Sequence, residues 1–218
     1  MRKLKLSTDS VVPGKKAQLV FGIYANNPRV TVYTGDPSES TNDKAGYGKI
    51  QANLDAPIFE TFIGMIEHAA TVREEWSAKI ENKNYTWYSG KRSDKPVLIS
   101  ELWVGRTKEG LVWISVIAAD QSRPKLRFYF TPSEFHHFVK RTGEPFAKDE
   151  VNNLYAMGYA RLLRGVSQQV LVNHYVDEAI KDNNNSNNGN NNFRQNPRNT
   201  EKSKDAGFSS GGSDDLPW

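Results

Sequence analysis

Apolar and polar residues alternate along much of the first half of the chain, and the alternation predicts strands. A period of two marks a strand with one buried and one wet face. The pattern runs through residues 3–7, 17–24 (Leu19, Phe21 and Ile23 on one side), 29–34 (Val30 and Val32) and 49–54 (Ile50, Ala52 and Leu54). Turn residues separate these runs, notably Pro13-Gly14 and Asn26-Asn27-Pro28. A polar loop over 35–48 precedes the fourth strand. The period then changes. Asp55 is placed to cap a helix predicted over about 56–80, with Phe59, Phe62, Ile63, Ile66 and Ala70 on one stripe. Four strands and a helix form a first unit.

The same order follows again. Strands are predicted over 84–88, 96–104, 111–118 and 125–130, joined by turns at 89–94, 106–110 and 120–124. Thr131-Pro-Ser-Glu134 has the form of a capping box and predicts a short helix over 132 to about 141. The two junctions align without a gap. Leu126, Phe128 and Phe130 match Ile50, Ala52 and Leu54, and Phe135 and Phe138 match Phe59 and Phe62. A unit of this kind does not close a core alone, so the expectation is a duplicated pair. Gly143-Glu-Pro145 breaks the chain before a long helix over 148–181 whose apolar positions cover more than one face. That helix packs on the two units or pairs with another copy in a homo-oligomer. The expected class is α+β: two tandem four-strand-plus-helix units (about 1–82 and 83–145), the helix 148–181, and a tail from 183.

The tail changes character. Residues 183–192 are asparagine except for Ser186 and Gly189, and the chain ends Ser213-Asp-Asp-Leu-Pro-Trp218. Such a composition predicts disorder over 183–218. Its last five residues set two carboxylates beside Leu216, Pro217 and Trp218, a bait for a basic rim around a small apolar pocket. The chain of 218 residues has a net charge of +4. After Lys181 the acids (Asp182, Glu201, Asp205, Asp214, Asp215) slightly outnumber the bases, so the positive excess lies in the body. Charge of this size suits an anionic partner without selecting one.

The candidate chemistry is binding. Lys49, Gln51, Lys125, Arg127 and Tyr129 project from the wet faces of equivalent strands, with Tyr33, Trp87, Trp103 and Trp113 on neighbouring strands and Lys91, Arg92 and Arg106 at their turns. Rings stack exposed bases and cations neutralise phosphates, the two needs of a protein that holds single-stranded nucleic acid. For Trp103 and Trp113, in largely apolar strands, a core position is the alternative. Absence of cysteine excludes disulfides, thiolate metal sites and cysteine nucleophiles. His68, His136, His137 and His174 have no partners at metal-ligand spacing, and Gly46-Tyr-Gly-Lys49 is too short for a phosphate-binding loop. Glu74-Glu75 and Asp149-Glu150 read as solvated helix faces. No enzyme, cofactor or metal site is therefore expected. No apolar run approaches the roughly 20 residues of a membrane span, and a polar stretch follows the basic start, so the expected location is the cytoplasm.

The Asp214-Asp-Leu-Pro-Trp218 tip on its Asn/Gly/Ser tether resembles the tail of bacterial single-stranded DNA-binding proteins, with Trp where that family ends in Phe. The resemblance implies docking of replication and recombination proteins at the tip. The doubled order of four strands and a helix resembles the Whirly, Pur and transcriptional-coactivator group of single-strand binders. The alternative fold is the OB-fold, which has five strands and one helix. Both resemblances imply a sequence-tolerant single-stranded DNA-binding protein of the kind bacteriophages use in replication. The alternatives are a transcriptional regulator or RNA binder using the same sheet, and an adaptor acting through its tail.

Overall fold

The computed structural model describes residues 4–9, 14–24, 27–36 and 48–173. The predicted loop over 35–48 and the whole tail, including Asp214, Asp215, Leu216, Pro217 and Trp218, fall largely or wholly outside the described residues.

The first predicted unit forms. Strands β1 (Leu4–Asp9), β2 (Lys16–Tyr24), β3 (Asn27–Tyr33) and β4 (Lys49–Asn53) make an antiparallel sheet in chain order. Its register aligns Leu6, Leu19, Val32 and Ile50 in one row and Leu4, Phe21, Val30 and Ala52 in the next. Apart from the half-buried Leu4 these residues are buried, as alternation requires when one face meets a core. Helix α1 (Ala56–Thr71) follows directly. Asp55 caps it, its Oδ1 accepting from the Ile58 amide at 2.9 Å. The stripe Phe59, Phe62, Ile63, Ile66 and Ala69 covers the sheet.

The helix ends at Thr71, nine residues short of the predicted limit. Val72 is extended, and from Trp76 the period drops to two: Trp76, Ala78 and Ile80 turn inward and Ser77, Lys79 and Glu81 outward. This is β5 (Trp76–Asn84). The second strand set therefore opens at Trp76 rather than near residue 83. It continues through β8 (Val97–Arg106), β9 (Val112–Ala118) and the short β10 (Phe128–Tyr129), giving an antiparallel sheet of order β10-β9-β8-β5. A two-stranded hairpin, β6 (Trp87–Tyr88) and β7 (Lys91–Arg92), is inserted between β5 and β8.

The helix predicted over 132–141 does not form. Residues 131–147 are irregular, tied by a single bridge between Val139 and Pro145. The capping signal at Thr131 is local, and a ten-residue helix needs a face to pack on. That place is taken by α2 (Lys148–Asn173). Asn152 in its second turn is buried against the ends of β9 and β10: its Oδ1 accepts from the Val112 amide at 2.6 Å, and its Nδ2 donates to Val112 O and Phe130 O. Phe135, expected on a buried stripe, is 81% exposed, and Phe138 is half-buried. The helix that completes the second four-strand set is α2. It lies beside α1, where Arg164 forms a two-bond pair with Glu67 (2.7 and 3.1 Å) and a single bond to Glu60.

The class is α+β: the described residues form two four-stranded antiparallel sheets, the small hairpin and two helices, with no closed barrel among them. Both sheets and both helices feed one core, centred on Phe62, Phe128, Phe130, Leu19, Ile63 and Ile66. The sheets meet along two seams. At one, Ser100 Oγ donates to Gln51 O (2.8 Å) and an Arg123 guanidinium nitrogen donates to Lys49 O (3.3 Å). At the other, Tyr159 on α2 donates its hydroxyl to Lys5 O at 2.7 Å, near where β1 approaches β10.

Candidate nucleic-acid interface

The β6–β7 hairpin is a finger. Its turn, Ser89-Gly90, holds both residues at positive φ (48° and 77°), the two-residue geometry that follows the twist of paired strands and favours glycine. The base is closed by the Ser93 amide donating to Thr86 O and the Thr86 amide donating to Ser93 Oγ. No side chain of the finger whose burial is described belongs to the core. Trp87 is 72% exposed, opposite Arg92 in the pairing, and Lys91 and Arg92 are exposed. The Arg92 guanidinium lies 3.6 Å from the centre of the Tyr85 ring, a cation–π contact that holds both side chains in place. Lys91 and Lys95 have no acidic partner among the described residues.

The finger leads into the outer face of the second sheet. Cross-strand partners share a face, so the register sets out rows on it. One row is Glu81, Glu101 and Ile117; the next is Lys79, Trp103 and Ser115; the last is Ser77, Gly105, Trp113 and Tyr129. Trp103 is half-buried and donates its indole N–H to Glu101 at 2.9 Å. Lys79 pairs with both Glu101 and Glu81 and lies 5.5 Å from the Trp103 ring centre. The ammonium of Lys79, and then the indole N–H, hold the Glu101 carboxyl below its ordinary range; Lys79 is raised in return, first by Glu101 and then by Glu81. Lys83 pairs with Glu81 in turn, so across this row and its neighbour two lysines offset two carboxylates.

The far row differs from the sequence expectation. Trp113 is only 7% exposed. Its ring lies against Gly105, where a Cβ would come within 2.4 Å of it, and the Arg127 guanidinium sits 4.4 Å from its centre. Trp113 is thus a seat for Arg127 rather than an open platform, while Arg127 is exposed and Tyr129 half-buried beside it. Arg106 is not a surface cation. It is 9% exposed, on the same parity as Leu102 and Val104, and its guanidinium donates to Ala69 O (3.2 Å) and to Asn153 Oδ1 (2.7 Å).

On the first sheet, Tyr33 and Lys49 are direct cross-strand partners at the end of β3 and β4. Lys49 is exposed; Tyr33 and Gln51 are half-buried, and the Gln51 amide bonds to Asn53. Gln51 joins the finger side of the second sheet through its carbonyl, which accepts from Ser100 Oγ; Asn82 Nδ2 donates to that oxygen in turn. Lys125 is exposed in the β9–β10 connection, near Arg123. Of the predicted residues, the structure groups Trp87, Lys91 and Arg92 in the finger and Trp103, Trp113, Arg127 and Tyr129 on one sheet face. Lys49, Gln51 and Tyr33 lie across the seam, and Arg106 is inside. Tyr85 and Lys79 are the additional residues of this surface. The signal for Lys79 is the alternation of 76–84, which the helix predicted to residue 80 hides, while Tyr85 stands in the aromatic strand predicted over 84–88.

Among the described residues no helix is long and apolar enough to cross a membrane, and no group of three His, Asp or Glu side chains is placed to hold a metal ion. Comparison with protein-family models, curated proteins and solved structures finds no match for this chain.

Proposed function

We propose that the protein binds single-stranded DNA without sequence preference, in replication or recombination of the kind bacteriophages carry out, and recruits partner proteins through its acidic tip. The observation that carries this reading is the finger. An indole left 72% exposed on a hairpin with Tyr85, Lys91, Arg92 and Lys95 has no packing role, and a ring among cations suits an unpaired base with its phosphates. Two sets of four antiparallel strands, each completed by a helix, are also the order of the Whirly and Pur group. The Asp214-Asp-Leu-Pro-Trp218 tip supports a role shared with bacterial single-strand binders. No catalytic step is proposed.

Stacking on a ring is worth roughly 1–3 kcal/mol per base by alanine substitution. Titration of the protein with oligo-dT at low salt should quench tryptophan fluorescence and shift the oligonucleotide in a gel. Trp87→Ala should weaken binding about tenfold while leaving the melting temperature unchanged, because its ring is outside the core. Wild-type protein that gives neither quenching nor a shift would end the proposal. Parallel titrations with RNA and duplex DNA separate it from the regulator and RNA-binder alternatives.

A further inference from the structure

The helix that fails to form over 132–141 leaves a groove where the edge of the first sheet meets the edge of the second. Its volume is about 490 Å3. Lys5 and Lys16 line it from β1 and β2, Tyr129 from β10, Glu134 and Phe135 from the irregular segment, and Tyr155 from α2. Lys5 and Lys16 are exposed and have no acidic partner among the described residues. Phe135, at 81% exposure, is the most open large apolar side chain described. Single exposed apolar residues are ordinary. Here the ring stands on the rim of a groove that already holds two cations and two further rings.

We propose that this groove is a second contact for single-stranded nucleic acid, with Phe135 and Tyr129 meeting bases and Lys5 and Lys16 meeting phosphates. The inference rests on the function proposed above and adds residues and a path to it. Charge favours a polyanion, since among the described lining side chains two lysines face one carboxylate, Glu134. The rings favour one that carries exposed bases. The path is continuous with the finger. Tyr129 belongs to the row of Trp113 and Gly105, and Gly105 lies eight residues along β8 from Val97, where the finger joins the sheet. At the rise of an extended strand that is roughly 27 Å. A strand running along the outer face of β8 would therefore cross the Glu81–Glu101 row, whose carboxylates Lys79 and Lys83 offset, and then pass Trp103 and Arg127 between its two anchors.

The test uses the full chain and oligo-dT of two lengths, about 4 and about 16 nucleotides, the range of site sizes for a single module. Phe135→Ala should weaken binding of the longer oligonucleotide about tenfold and leave the shorter one, held by the finger, unchanged. The double variant K5E/K16E should weaken the longer complex as well and reduce the magnitude of its salt slope by about 1.4, roughly 0.7 for each lost phosphate contact on a single strand. Both variants change exposed side chains, so their melting curves should match wild type. If the wild type binds both lengths, Trp87→Ala weakens both, and the groove variants bind like wild type, the groove is not a nucleic-acid site and the finger reading stands. If the wild type binds neither length, the proposed function falls and the groove with it.

Discussion

Arg106 shows how little a residue's type says about its task. On a turn it would be a phosphate contact; in the structure it is locked between the two helices. Ala69 O, which it reaches, lies in the last turn of α1, where exposed carbonyls and the helix dipole favour a cation. Asn153 Oδ1, near the start of α2, accepts from the same guanidinium nitrogen. Gly110 fits the same arrangement. It sits at φ +81°, and a Cβ there would approach an Arg106 guanidinium nitrogen to 2.9 Å. Hydrogen bonds to a charged group contribute about 1.5–3 kcal/mol each in mutational series, so Arg106→Gln should destabilise the fold by about 2 kcal/mol. Affinity of the folded protein for oligo-dT should not change. Urea unfolding and a binding titration on the same sample separate the two effects. A variant of wild-type stability with weakened binding would return Arg106 to the interface. The alternation in β8 already held this answer: extended two residues past Val104, it puts Arg106 on the inward side. Trp113 was harder to read, because parity turns it outward and its cover includes Arg127, from the β9–β10 connection.

At the scale of elements, the local signals were reliable where one period ran uninterrupted and failed where two competed. Strands β1 to β4 and the Asp55 cap were legible because each apolar face alternates cleanly and a capping carboxylate follows at once. Residues 72–80 were not. No glycine or proline marks the end of α1, and an apolar residue every two or four positions satisfies both patterns for a few residues. The capping box at Thr131 failed for another reason: nothing in a local motif reports that a later helix occupies its packing site. One side chain ties that later helix to the ends of β9 and β10. Asn152 serves both backbone groups of Val112 and the carbonyl of Phe130, all out of water. Asn152→Ala leaves these groups without partners, at a cost of roughly 3 kcal/mol. Asn152→Asp retains an acceptor for the Val112 amide but turns carboxylate oxygen toward two carbonyls, and should be nearly as damaging. Thermal unfolding of both variants checks this. If either melts within a degree or two of wild type, α2 is secured mainly by Arg164 and its apolar contacts.

Across the whole molecule, the two sheets share a core without closing into a barrel, so the hydrogen bonds at their seams decide how firmly the edges stay together. Tyr159 is a titratable group that bonds across the seam beside the proposed groove. Its hydroxyl donates to Lys5 O, and its ring packs against Phe21, Phe130 and Tyr155. Burial, with a smaller push from Tyr155, raises the phenol from its ordinary 10.0 to about 12. The fold therefore keeps this proton more tightly than the unfolded chain does. Between those two values the unfolded state has fewer protons bound, and stability must fall as pH rises. The contribution is complete below about pH 10 and gone once pH passes about 12, when the phenolate can no longer donate to Lys5 O. Other tyrosines and lysines also titrate in alkali, so the comparison that isolates this group is Tyr159→Phe. That variant should be about 1 kcal/mol less stable at neutral pH, for the lost hydrogen bond. Its stability should decline less steeply than wild type through the alkaline window, so that the two curves converge. Denaturant unfolding at a series of pH values reads this directly. Curves that stay parallel through the window would mean that the seam is indifferent to the Tyr159 proton and that Lys5 is held by the pairing of β1 with β2 alone.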